Sequence, residues 1–322
     1  MASVLEQPLA GAELDAAIAA LEPGQRLLVP MDAKTYHARP EISSSGVRYF
    51  RHEGELNYHS VYVAKTLPGK ASDSYRLGTL FHLAMAQQDW RSQAAIIPST
   101  LHEDRALRVV RNEWLGSSSK VSLAAGTELN FKAPSHRRWF ELKQAEAAEA
   151  GKEWLTEAEL ELIGEQIQSI ADNPATAWLM DASLKHEQVG FYRCPKTNLV
   201  LRGMADVLAD NLIIDFKTSR FSTRRGFASW ACSREVDVPL QLGHYSRVFG
   251  MEECAIVMVR NFLPAESLWF DIPAWKVRES LARHDAVLKS MSECYELNSW
   301  KTLGWGARNN LVEQSENYWE AM

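Results

Sequence analysis

The chain has no uninterrupted apolar run approaching the ~20 residues that a membrane-spanning helix needs, so no membrane span is expected. Its N-terminus, MASVLEQPLAGAELDAAIAAL, has neither the basic start nor the long apolar middle of a signal peptide, and a cytoplasmic protein is expected. Cysteine is scarce. Cys194, Cys232, Cys254 and Cys294 include no C-x-x-C pair, which excludes a zinc ribbon or an iron–sulfur cluster and leaves reduced, structural thiols. There is no surplus of positive charge either. A net charge of −6 argues against a uniformly basic coat, although it leaves room for a local basic channel. No internal repeat or low-complexity linker interrupts the sequence.

What is present fits an α/β protein. With 322 residues, 46% hydrophobic and 24% charged, the chain can bury a sizeable core as one large domain or two smaller ones. Residues 12–22 carry Leu14, Ile18 and Leu21 at helical spacing and stop at Pro23-Gly24. Ser43 to Ser45 suit the cap of a helix bearing Val47, Tyr49 and Phe50. Residues 76–89 read as a buried helix containing His82. Taken alone, a histidine in such a stretch is more often a satisfied core residue than a ligand. Residues 98–134 read as loops with short elements, within which Arg105, Arg108 and Arg111 suit a helical stripe. Such a stripe is a solvated face or a contact for a DNA backbone.

Further helices are expected over 136–150, after the capping-box pair Thr156 and Glu159, and through Trp178. Strands follow at HEQVGFYR, ECAIVMVRNF and Ser267 to Ile272, and residues 274–296 form a long amphipathic helix. The expected architecture is a central mixed sheet of about five strands with helices before and after it. It divides into an N-terminal helical extension (1–34), a body (35–296) and a tail (297–322). Trp300, Trp305 and Trp319 of the tail are expected to pack on the body or a neighbouring subunit.

The stretch Arg202 to Ser219, RGMADVLADNLIIDFKTS, holds two strands joined by a turn at Asp210-Asn211. Asp215 and Lys217 are two apart and share a face, and in-register pairing puts Asp206 beside them. Two carboxylates and an ammonium in one patch suit a divalent metal such as Mg²⁺, which takes hard oxygen ligands. The ammonium suits positioning a water and offsetting charge that develops during reaction. The competing reading is an ordinary hairpin with charges on its wet face. A basic loop with Arg220, Arg224 and Arg225 comes next, and then Gln241 and Tyr245 stand at i and i+4 on a helix.

Four patterns therefore follow in order: G-x-x-x-H (Gly78 to His82), G-x-x-D (Gly203 to Asp206), D-x-K-T (Asp215 to Thr218) and Q-L-x-x-Y (Gln241, Leu242, Tyr245). With YHARPEISSSG and LGTLFHLAM upstream, the chain from about Thr35 to Trp275 resembles the RecB-like branch of the PD-(D/E)XK nuclease superfamily. Within that branch it is most similar to the RecE (exonuclease VIII) type of phages and prophages. The resemblance implies a restriction-endonuclease-like core and metal-dependent hydrolysis of phosphodiester bonds. Linear double-stranded DNA would be degraded from its 5′ ends, leaving a 3′ single strand for recombination.

The same resemblance implies that Asp206, Asp215, the carbonyl of Phe216 and a neutral ring nitrogen of His82 hold Mg²⁺, with Mn²⁺ able to substitute. Lys217 would orient the attacking water. Gln241 and Tyr245 would hold the lysine, the water or the scissile phosphate, and Arg220, Arg224 and Arg225 would grip the DNA backbone or a terminal phosphate. Glu187 is an outer-shell carboxylate or a surface-strand charge. The implied partners are DNA ends, a single-strand annealing protein and further copies of the chain in a homo-oligomeric ring. A single-strand or structure-specific nuclease, or a non-catalytic DNA-binding module, are the alternatives on the same fold.

Overall fold

Helical and strand periodicities alternate along the chain and set its element order. The computed structural model describes residues 2–4, 9, 11–68, 73–86, 89–102, 105–112, 117–130, 132–233 and 236–301. The chain starts with β1 (Ala2–Val4), α1 (Gly11–Ala19), β2 (Arg26–Val29), α2 (Ala33–Ala38), α3 (Ser44–Glu53) and α4 (Glu55–Tyr58), the last passing into a π-helical turn. Next come α5 (Asp73–Met85), β3 (Ala94–Ile97), β4 (Arg105–Asn112), β5 (Ser117–Leu123), α6 (Pro134–Glu149), β6 (Glu153–Thr156) and α7 (Glu157–Asp172). After a 3₁₀ turn come β7 (Lys185–Arg193), β8 (Val200–Ala209), β9 (Leu212–Ser219), α8 (Arg224–Ala231) and α9 (Val238–Phe249). The last elements are β10 (Glu253–Arg260), β11 (Ser267–Ile272) and α10 (Ala274–Leu297).

Two compact units share these elements: residues 1–71, 181–260 and 267–322 make the first, and residues 72–180 with 261–266 make the second. The first is built on a seven-stranded sheet in the order β1-β2-β7-β8-β9-β10-β11. β1 with β2 and β9 with β10 are parallel, and the other neighbours are antiparallel. A parallel neighbour requires a crossover, and α8 with α9 supplies it between β9 and β10. The pleat sorts β7 onto two faces. Val189 and Phe191 pack with Leu14 and Ile18 of α1, while Tyr192 joins the larger core with Tyr245, Val248 and Phe249 of α9.

In the second unit β3 pairs in parallel with β6, and β4 forms an antiparallel hairpin with β5. Leu80, Leu83, Leu155 and Ile163 form one apolar cluster there, and Ile97, Leu101, Leu123 and Trp139 another.

Local chemistry fixes the helix starts. Ser43 Oγ accepts the Gly46 N–H at 3.2 Å, as its serine cluster predicts. Thr156 Oγ1 accepts the Glu159 N–H at 3.2 Å while Glu159 Oε2 accepts the Thr156 N–H at 2.8 Å, which completes the capping box. Two expectations change. The sheet has seven strands rather than about five, because β1 and β2 span only three and four residues, too short for a period-2 pattern to register. Arg105, Arg108 and Arg111 lie on strand β4, not on a helix. The three-residue spacing misled there, since cross-strand pairing with β5 decides the conformation. Trp300 packs 5.0 Å from the Tyr295 ring and 4.8 Å from His59, within the first unit. Trp305 and Trp319 lie outside the described residues. Among the described residues no helix is long and apolar enough to cross a membrane.

Gly243 lets α9 lie close against α10, for a Cβ there would stand 2.8 Å from the Ser280 carbonyl oxygen. Backbone cannot swing aside as a side chain can. Gly243→Ala is expected to cost about 1–3 kcal/mol, seen as a lower denaturation midpoint with an unchanged slope.

Candidate active site

Strand geometry puts Asp215 and Lys217 on one face of β9, and the hairpin partner then shapes the space around them. β8 and β9 pair at Ala209–Leu212, Leu208–Ile213 and Val207–Ile214, and the ladder goes no further. β9 continues against β10, from Asp215–Ile256 to Ser219–Arg260. Where β8 and β9 part, a side chain takes over: Asp206 Oδ2 accepts the Phe216 N–H at 2.6 Å. The N–H and C=O of an extended residue project to the same edge, so the Phe216 carbonyl faces this gap too.

Asp215 is 1% exposed, and its two oxygens meet different partners. Gln241 Nε2 donates to Oδ1 at 3.0 Å and to the Tyr245 hydroxyl at 2.9 Å. Lys217 Nζ lies 2.5 Å from Oδ2, a charge contact without the alignment of a hydrogen bond, and 3.5 Å from the Phe216 carbonyl. Burial, reinforced by Asp215, pushes the Tyr245 phenol well above its ordinary range, so it stays protonated.

α9 must be held to deliver Gln241 and Tyr245. Gly190 and Gly203 face each other across β7 and β8. A Cβ on Gly203 would stand 3.3 Å from the Tyr245 ring, and one on Gly190 would stand 2.9 Å from Phe249. This close approach is the physical role of the glycine in G-x-x-D. His244 of α9 bonds the Arg202 carbonyl through Nε2 at 2.8 Å and His284 through Nδ1 at 3.0 Å. A carbonyl only accepts, so Nε2 of His244 carries the proton and its Nδ1 accepts from His284 Nε2. Burial pushes His244 down to about 4 and His284 well below its ordinary value, so both rings are neutral near pH 7.

The structure thus brings together Asp206, Asp215, Phe216, Lys217, Gln241 and Tyr245. Arg220, Arg224 and Arg225 are exposed on the loop after β9 and the first turn of α8. Glu187 is half-buried on β7 at φ +46°, between His186 paired with Val207 and Gln188 paired with Ala205, which leaves it opposite Asp206. His82 lies on α5 of the second unit, half-buried, with its ring edge-on to Phe81 at 5.9 Å. His186 was not singled out by sequence. Burial lowers its pKa while the Asp206 carboxylate pulls the other way, and no motif marks it. Among the described residues no group of three His, Cys, Asp or Glu side chains forms a metal cluster. The first unit offers instead two carboxylates and a main-chain carbonyl, hard oxygen donors of the kind Mg²⁺ takes.

Residues 43–302 match the PD-(D/E)XK nuclease superfamily. The chain belongs to that superfamily. PD-(D/E)XK nucleases generally use divalent metals, in keeping with the donor set around Asp215. Similar solved structures include a protein from Eubacterium rectale assigned as an exonuclease, 11% identical over 82% of this chain and 85% of that one, with a TM-score of 0.49. A phage-related exonuclease from Haemophilus somnus 129PT is 14% identical over 44% and 72% of the two chains, with a TM-score of 0.29. An alkaline exonuclease from Laribacter hongkongensis is 13% identical over 52% and 89%, with a TM-score of 0.23. No curated protein matches the sequence.

Two outcomes follow for stability. Lys217→Met leaves the Asp215 carboxylate without its cation and is expected to cost the metal-free protein about 1–3 kcal/mol. Combined with Asp215→Asn in a double-mutant cycle, it should cost less than the sum of the single changes. The second outcome concerns pH. Unfolded imidazoles protonate near pH ~6.5, whereas folded His244 resists until about 4. Stability is therefore full above the unfolded value and is lost as pH falls towards 4, by up to about 3 kcal/mol. Chemical denaturation at two pH values reads this loss, which should shrink in His244→Gln.

Proposed function

We propose that this superfamily member is a Mg²⁺-dependent exonuclease of the RecE type, degrading linear double-stranded DNA from 5′ to 3′ and leaving a 3′ single strand. The observation that carries the reading is the joining of Asp206, Asp215 and the Phe216 carbonyl at one gap, with Lys217 Nζ against Asp215. Asp206, Asp215 and Phe216 O would hold Mg²⁺ or Mn²⁺. A divalent ion so bound supplies Lewis acidity and makes a water ligand more acidic. Lys217 orients the attacking water and offsets negative charge gathering on the phosphoryl oxygens. Gln241 fixes the Asp215 carboxylate in one orientation and Tyr245 fixes Gln241. Direction of attack, a ring of copies threaded by DNA and an annealing partner rest on the order of the four motifs.

The test is digestion of an end-labelled linear duplex beside a closed circle, with Mg²⁺, Mn²⁺ or a chelator. Metal-dependent release from the 5′ end and resistance of the circle are expected. Asp206→Asn, Asp215→Asn and Lys217→Ala should each lower the rate about 10²–10³-fold. A circle cut as fast as the linear duplex overturns the exonuclease reading, and full activity in these variants overturns the site.

A further inference from the structure

Beyond Ser219 the chain leaves the sheet through Arg220, Phe221, Ser222 and Thr223, all exposed, before α8 begins. The segment is nevertheless held. The Phe221 N–H donates to Ser219 Oγ at 3.2 Å, Arg260 Nη2 donates to the Ser222 carbonyl at 2.8 Å, and Thr223 Oγ1 accepts the Gly226 N–H at 3.0 Å. The Phe221 ring rests on the bare backbone of Gly226, where a Cβ would come within 3.0 Å of Cδ1. Trp230 flanks it, with ring centroids 6.0 Å apart. One side of the ring is thus backed by protein, and 37% of the residue remains open to solvent.

The charges around this ring point to its use. Arg220, Arg224 and Arg225 make no ion pair with any described residue. Arg224 and Arg225 occupy the first turn of α8, the end of a helix where cations are disfavoured. In a chain of net charge −6, three such arginines are placed for an anion rather than for stability. Their phosphate contacts need no aromatic ring. An exposed ring on the same segment suits the face of a base, which the interior of a duplex does not offer. Packing on Trp230 accounts for the covered side of the ring, and the side left open belongs to the segment that carries the three arginines.

We propose that Phe221 is a base-stacking platform, on which an unpaired nucleobase lies while Arg220, Arg224 and Arg225 hold the phosphates of the same strand. The inference rests on the nuclease reading and adds to it a specificity-determining residue. Phe221 follows Lys217 by four residues, at most about 14 Å of extended chain. That is about four stacked nucleotides at ~3.4 Å each, and fewer once the strand is extended. The strand that reaches Asp215 is therefore unpaired near the site, whatever its state further away.

The experiment is fluorescence anisotropy of an end-labelled single-stranded oligonucleotide and of an abasic oligonucleotide of equal length and charge. Both are titrated with the full chain in a chelator, so that binding is read without cleavage. Phe221→Ala is expected to weaken binding of the base-bearing strand about tenfold, to leave the abasic strand unchanged, and to lose as much at high salt as at low. Phe221→Trp should bind as tightly as the wild type or tighter. Arg225→Ala should weaken both strands alike, with a shallower salt dependence. An equal loss on both strands with Phe221→Ala, or no loss on either, overturns the platform while leaving the nuclease reading intact. Failure of the wild type to bind either strand overturns the platform, while the nuclease reading stands or falls on digestion of the linear duplex.

Discussion

A carboxylate with 1% of its surface exposed is costly unless donors and positive charge surround it. Asp215 is such a group, and the site is the set of residues that compensate it. Lys217 comes from the same strand, so this half of the compensation is secured as soon as β9 is extended. Gln241 comes from α9 and depends on the whole crossover being in place. That dependence explains how firmly α9 is held. Its N-cap, Asp237, accepts the Leu240 N–H at 3.2 Å and is tied to His52 at 2.8 Å and to Arg283 at 2.7 Å. Burial pushes the Asp237 carboxyl up, but His52 and Arg283 outweigh it and keep the group ionised.

The parting of β8 from β9 follows from the same constraint. A regular ladder would put backbone opposite Phe216 and leave no room for a third group between the strands. The Asp206 carboxylate takes the ladder position instead, accepting the Phe216 N–H with a charge-assisted bond. This keeps the strand end satisfied and turns one carboxylate and one carbonyl into the same gap. β10 supports the other edge of β9 through Ser219, so the opening on one side costs no order on the other. The sheet supplies rigidity where the chemistry needs fixed oxygens.

Such local relations were legible in the sequence. Asp215 with Lys217 needs only the period of a strand, Gln241 with Tyr245 only the period of a helix, and Thr156 with Glu159 only a cap. Relations between distant segments were not. Strands β1 and β2 acquire their place by pairing, β2 with β7 more than 150 residues on, and nothing within a run of three or four residues announces that. In β4 three arginines at helical spacing mask the strand preference of Val109-Val110, and the partner strand β5 settles the conformation. Gln241 was placed on the right helix face, but its bond to Asp215 rather than to Lys217 depends on the height of α9 above the sheet. The bare notch at Gly190 and Gly203 sets that height.

If the chain is the nuclease proposed above, its arrangement of charge would separate binding from cleavage. Two buried carboxylates by themselves repel a polyanion, and Lys217 is engaged with one of them. In the proposed reading attraction for a phosphate backbone would come from the exposed arginines that follow Ser219 in the chain, outside the buried site. Their field in water is screened over about 10 Å at ~0.1 M salt, so it acts on the strand next to the site and not on remote duplex. In the proposed reading cleavage would depend on Asp206, Asp215 and Lys217, whose interactions lie in a poorly solvated gap and are screened far less. Salt should thus govern whether a strand is held, and the buried trio should govern what happens to it once held.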